Sequence, residues 1–134
     1  MKLKLKIIDL NGVYFEDEVD LLNITIASGN VTILANHLPI ISKIAISHAY
    51  FKNDGVISEF AIAGGTLFKD ENECKIITPA IERDSEIDFD RATKAKNRAE
   101  ERLKSQDSDI DIKRAEIALK KAINRLSLNN KHDN

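Results

Sequence analysis

The chain has little of what disulfide-built, metal-bound or membrane-spanning proteins depend on. Its 134 residues include one cysteine, two prolines, five glycines and no tryptophan. The lone Cys74 cannot close an internal disulfide and reads as a small packing hydrophobe. His37, His48 and His132 show no zinc spacing with it or with one another, so no metal site is expected. No apolar run approaches the roughly 18 residues a membrane span needs. Met1-Lys2-Leu3-Lys4-Leu5-Lys6-Ile7 alternates too strictly for a signal peptide and reads as a strand, so the chain is expected to be made and kept in the cytoplasm. A phosphate-cradling G-x-x-x-x-G-K-S/T segment is missing. No Ser/His/Asp or Cys/His arrangement stands out, and the expectation is a protein that is not an enzyme. A formal net charge of −2 gives no reason to expect nucleic acid.

What is present divides into two parts. Residues 1–87 carry 8 Lys/Arg against 13 Asp/Glu, and residues 88–134 carry 12 against 9. Opposite net charge suggests different partners for the two halves. The hydrophobic period changes near Glu86 as well. Up to Pro79 it is mostly two: Leu3, Leu5 and Ile7 share one face, as do Leu22, Ile24 and Ile26. Turn signals at Asn11-Gly12, Ser28-Gly29-Asn30, Asn53-Asp54-Gly55 and Asp70-Glu71-Asn72 separate short β-branched runs. This predicts an antiparallel β-sandwich or barrel over residues 1–85, the sandwich being the fold expected. Asn11-Gly12 and Asp54-Gly55 suit tight hairpins. Gly64-Gly65 marks a bulge or a close backbone approach.

After Asp88 the period is helical. Phe89, Ala92, Ala95, Ala99 and Leu103 form one stripe; Ile112, Ala115, Leu119, Ala122 and Leu126 form another. Helices over about 88–105 and 110–127 are predicted, joined at Ser105–Asp109. So short a link makes an antiparallel helical hairpin of residues 86–134, with a frayed polar tail from Asn129. An Ala-rich seam buries little area, so the pair is marginal without a docking partner. Such a hairpin either packs permanently on the sandwich or moves between docking sites. Its charges allow a ligand. Asp88 and Arg91 share a helix face, and Arg98 returns to nearly that face. Lys121 and Arg125 share one on the second helix. Folding the hairpin gathers four cations suited to phosphate. The plainer reading is a solvated face, with Asp88 capping its helix.

These features, in this order, resemble the epsilon subunit family of F-type ATP synthases, over essentially the whole chain. Ile87-Asp88-Phe89-Asp90-Arg91-Ala92 matches the family's I/L-D-x-x-R-A signature. Ala99-Glu100-Glu101-Arg102-Leu103 and the helix from Arg114 to Leu126 follow. Gly29-Asn30-Val31 and His37-Leu38-Pro39 sit where the family carries a G-E-x-G-x-x-P-G-H-x-P loop, and Gly64-Gly65 where it has S-G-G. Asn30 replaces the loop's acidic residue; Thr32, Asn36 and Ala35 replace its later glycines and first proline.

The resemblance implies a bacterial, non-catalytic rotor-stalk subunit, peripheral to the cytoplasmic face of the membrane. It implies attachment to the gamma subunit, with Asn30 and His37 toward the c-ring, and a hairpin that meets the alpha and beta subunits. It also implies a regulatory ATP, bound without hydrolysis at Glu82, Ile87, Asp88, Arg91, Ala92, Arg98, Lys121 and Arg125. Lys121 stands where ATP-binding relatives carry arginine. His37 on the residues alone is a turn histidine bonded to backbone, or a pH reporter. A stand-alone nucleotide sensor and a generic adaptor are the competing classes; co-purification with a membrane ATPase separates them from the motor subunit.

Overall fold

The computed structural model describes residues 1–105 and 109–132. The chain divides into two compact units, Met1–Arg83 and Asp84–Asn134.

The first unit is built from eight strands: β1 (Leu3–Asp9), β2 (Gly12–Val19), β3 (Leu21–Ile26), β4 (Gly29–Ile33), β5 (Ile40–Asn53), β6 (Val56–Lys69), β7 (Cys74–Ile77) and β8 (Ile81–Glu82). They pair in the order β2-β1-β7-β6-β5-β3-β4, with β8 on β6. The period-two runs become the core. Leu3, Leu5, Ile7, Leu22, Ile24 and Ile26 are buried together with Phe51, Phe60, Ile62 and Leu67. In the sheet order three strands lie between β2 and β5. Yet the Phe15 and Phe51 rings are 4.5 Å apart, and Tyr14 meets Phe60 at 6.1 Å. The sheet therefore folds over on itself, and its two layers enclose one apolar interior. One pair departs from the antiparallel expectation: β1 and β7 run parallel. Parallel neighbours need a long crossover, and nearly the whole sandwich separates these two in sequence.

Two glycine positions shape this wrap. Asp54 (φ 51°) and Gly55 (φ 83°) form the two-residue turn between the long strands β5 and β6, as the Asp-Gly pair predicts. Gly64-Gly65 marks the place where β6 changes partner, from β8 at Ala61 and Ile62 to β7 from Thr66 onward. The β5–β6 register runs through without a shift, so the feature is a close approach and not a bulge. A Cβ on Gly65 would stand 2.2 Å from the Ile77 carbonyl oxygen. The buried Thr78 hydroxyl donates to the Gly64 carbonyl at 2.7 Å, which fixes the crossing strands together. Cys74 lies fully in the core, where burial pushes its thiol up to about 12.

The second unit opens with a one-turn 3-10 helix at Asp84–Glu86, followed by α1 (Phe89–Ser105) and α2 (Asp109–His132). The expected connection at 106–108 lies outside the described residues. α2 continues to His132, five residues past the expected end. Asn129, Asn130 and Lys131 supply neither a glycine cap nor a proline, so no stop signal ends the helix there. The side chains at the seam are the small ones. Ala92, Ala99, Ala115 and Ala122 are buried, while Phe89, Leu103, Ile112, Leu119 and Leu126 are only half-buried. Methyl groups let the axes approach, and the longer side chains flank the line of contact. Leu128, outside the expected stripe, is fully buried.

Candidate functional site

The hairpin site begins at the N-terminus of α1. Asp88 stands one residue before the helix and caps it: its carboxylate accepts the Arg91 backbone N–H at 3.0 Å, and its carbonyl accepts the Ala92 N–H at 2.9 Å. That is the capping role the residue type favours. It engages one carboxylate oxygen and leaves the side chain exposed. Ile87 is buried beside it, and its N–H donates to the Asp84 carbonyl at 3.3 Å. Arg91 and Arg98 lie exposed on α1. Between them Ala92 is fully buried in the seam, so its place in the candidate set is a packing position.

On α2, Lys121 and Arg125 are half-buried. The hairpin sets their level along the axis. Counting outward from Ser105 and Asp109, Ala99 stands level with Ala115 and Ala92 with Ala122. The same count brings Arg91, Lys121 and Arg125 within about a turn of one another. Arg98, seven residues on from Arg91, lies about 10 Å further toward the connection at 1.5 Å per residue. Three of the four cations thus share the open end of the hairpin. Glu82 belongs to the first unit, where it is half-buried in β8 and paired in register with Ala61.

The two residues expected near the c-ring are placed differently from a free loop. Asn30 is in strand β4, exposed and tied into a side-chain ladder. Its amide donates to Asn23 Oδ1 at 3.0 Å and to Thr25 Oγ1 at 3.2 Å, and it accepts from Asn23 at 2.9 Å. His37 sits in the turn between β4 and β5. Its N–H donates to the Leu34 carbonyl at 3.0 Å, and its Nδ1 lies 2.7 Å from the Leu38 carbonyl oxygen, so that nitrogen carries the proton. This is the backbone-bonded turn histidine of the plainer reading.

Sequence reasoning missed an apolar flank of the sandwich. Ile41 and Phe68 are cross-strand neighbours, and Leu38, Ile41, Phe68 and Ile77 are all exposed. The signal was present in Ile40-Ile41: adjacent strand residues point to opposite faces, so two apolar neighbours put one of them outside. Among the described residues, no helix is long and apolar enough to cross a membrane.

The fold defines a class: a β-sandwich followed by a two-helix hairpin. Residues 2–84 match the family model described as ATP synthase, Delta/Epsilon chain, beta-sandwich domain, and residues 85–128 match its long alpha-helix domain. The ATP synthase epsilon chain of Alkaliphilus metalliredigens is 42% identical over 127 residues, 95% of this chain and 95% of that one. That of Caldicellulosiruptor bescii is 38% identical over 127 residues, 95% of this chain and 93% of that one. A chain in the cryo-EM structure of the Euglena gracilis mitochondrial ATP synthase OSCP/F1/c-ring assembly shares the fold. It has a TM-score of 0.76 at 23% identity, over 89% of this chain and 76% of that one. The chain belongs to the ATP synthase delta/epsilon family, as an epsilon-type, non-catalytic subunit of the central stalk.

Proposed function

We propose that the sandwich fastens the chain to the gamma subunit and the c-ring, at the cytoplasmic face of the cell membrane, and that the hairpin gates ATP hydrolysis. In its compact form the hairpin binds ATP without cleaving it. In an extended form it reaches the alpha and beta subunits and restrains them. The observation that carries this reading is that Arg91, Lys121 and Arg125 stand within about a turn of one another in level along a hairpin whose line of contact is centred on buried alanine methyls. A site drawn from two helices exists only while both are packed together. ATP therefore stabilises the compact state, by about 2.7 kcal/mol at a hundredfold excess over Kd. Four buried alanine methyls contribute about 3 kcal/mol at roughly 0.8 kcal/mol each. The two quantities are comparable, so ATP at cellular concentration can decide which form prevails. The exposed flank at Ile41 and Phe68 supports docking on the stalk, since surface apolar patches of this kind mark protein contacts.

Titration calorimetry of the full chain with ATP is the test. Heat is expected at millimolar ATP or below, with no release of phosphate. Arg91→Ala weakens binding most. Lys121→Arg strengthens it, because the planar guanidinium makes paired bonds to phosphate oxygens where an ammonium acts as a point charge. No heat from a folded hairpin would leave Asp88 as a helix cap and Arg91 as surface charge.

A further inference from the structure

Among the described residues of the second unit, the buried apolar side chains are the four seam alanines and two larger ones, Ile87 and Leu128. Both larger ones stand at the end of the hairpin away from the connection. Leu128 does not belong to the seam. At about 3.6 residues per turn it lies about 120° around α2 from Ala122. It shares instead the flank of Arg125, three residues before it, and of Lys121, seven before it and on nearly the same face. Yet its exposure is 0%, so a contact other than the alanine seam covers it. Glu86 is six residues before Ala92, and Leu128 is six after Ala122. By level, then, Leu128 stands opposite Glu86 and Ile87, and α2 is in contact with the 3-10 turn Asp84–Glu86. The helix reaches that level because it continues to His132.

We infer that Leu128 is the latch of the hairpin site: seated against the turn that leads into α1, it holds the last turns of α2 in place and so keeps Lys121 and Arg125 beside Arg91. The inference rests on the reading that ATP binds there, and adds what keeps the site assembled. Leu128 is thus a positioning residue, not a ligand of the phosphates. Alanine methyls let two axes approach but bury little area, and the end of a helix held by them alone opens first. A leucine buries more apolar surface, and a contact off the seam fixes the rotation of α2 as well as its distance from α1. When Leu128 leaves its seat, the two cations of α2 are released while the seam at Ala99 and Ala115 stays closed.

The test combines amide hydrogen exchange and ATP calorimetry on the full-length chain. In Leu128→Ala, without ATP, exchange in the first turn of α1 and around Arg125 should rise about 30-fold or more, as truncation of a buried leucine implies. Exchange around Ala99 and Ala115 should stay as in the parent. ATP affinity should fall by up to the same factor, since it scales with the population of the assembled site, and saturating ATP should restore protection. Leu128→Met fills a similar volume and should keep both properties. Parent-like exchange around Arg125 in Leu128→Ala would overturn the latch. So would an equal rise along both helices to Ala99 and Ala115, which would make Leu128 part of the general packing. Parent-like ATP affinity in a variant loosened at this end would overturn the positioning role. Absence of heat from ATP in the parent chain would remove the nucleotide site and that role with it, whereas the exchange of the free chain judges the latch apart from ATP.

Discussion

Replacing Ala99 by leucine should open the hairpin while leaving the sandwich intact. Ala99 is 3% exposed in the seam, level with Ala115, which is 1% exposed. A leucine there inserts three further carbon atoms between two helices whose approach depends on methyl groups. Overpacking of this kind costs about 1–3 kcal/mol. The four seam methyls contribute about 3 kcal/mol in total, so the cost of the substitution is from a third to all of what those methyls contribute. At about 1.4 kcal/mol per factor of ten, the open population rises roughly 5- to 150-fold. The assay is amide hydrogen exchange on the full chain, read separately for α1, α2 and the strands. Protection in α1 and α2 should fall by that factor. Protection in β5 and β6, within the other unit, should not change. ATP at a hundredfold excess over the parent Kd should restore part of the lost protection. Parent-like exchange in both helices, with the variant folded, would refute the claim that an alanine seam sets the stability of the hairpin.

Two further expectations concern the sandwich. Gly65→Ala should destabilise the first unit by roughly 3 kcal/mol or more, since the new Cβ meets the Ile77 carbonyl oxygen at 2.2 Å at a φ of +120°; Gly64→Ala, whose nearest neighbour would be 3.4 Å away, should be milder in the same urea titration. Stability should also fall in acid. The Lys2 ammonium, 2.5 Å away, and then the Asp54 backbone N–H hold the Asp20 carboxyl below its ordinary value of 3.8. A depressed carboxylate stabilises the fold above that value, and the contribution is lost as pH drops below it. Lys2→Met should flatten the acid limb of the unfolding curve without abolishing it, because Asp70, held low by the Glu73 and Asn72 backbone N–H groups, titrates in the same direction.

Much of this architecture was legible because burial leaves a period in the sequence. Leu3, Leu5 and Ile7 alternate with lysines, and the helical stripe begins where β-branched runs end. Asp54-Gly55 announced its turn through the backbone conformations it tolerates. The wrap of the sheet was not legible. β5 and β6 are 14 residues each; β6 changes partner from β8 to β7 along its length, and the β3–β5 pairing shifts register, so neither keeps one clean alternation. The burial of Lys69 was not legible either: position in a strand gives the face, but not that the ammonium would fold back onto the Asp70 carbonyl. In the hairpin, spacing identified the candidate cations, while the levels of Arg91, Lys121 and Arg125 depend on where the helices begin and end. Ala92 shared the stripe with Phe89 and Leu103, and only packing showed that the methyls take the centre. Asn30 looked like a loop residue because Gly29-Asn30 is a turn signal; Asn23, seven residues earlier, supplies the ladder that keeps it in a strand.

The hairpin is expected to restrain hydrolysis while the sandwich alone maintains the attachment. ATP hydrolysis by the ATP synthase reconstituted with the chain shortened to residues 1–87 tests it directly, measured beside proton pumping across a range of ATP concentrations. Faster hydrolysis than with the full chain is expected, most clearly at low ATP where the compact form is least populated, with pumping retained. Hydrolysis equal to that of the full chain at every ATP concentration, with the shortened chain bound, would contradict it.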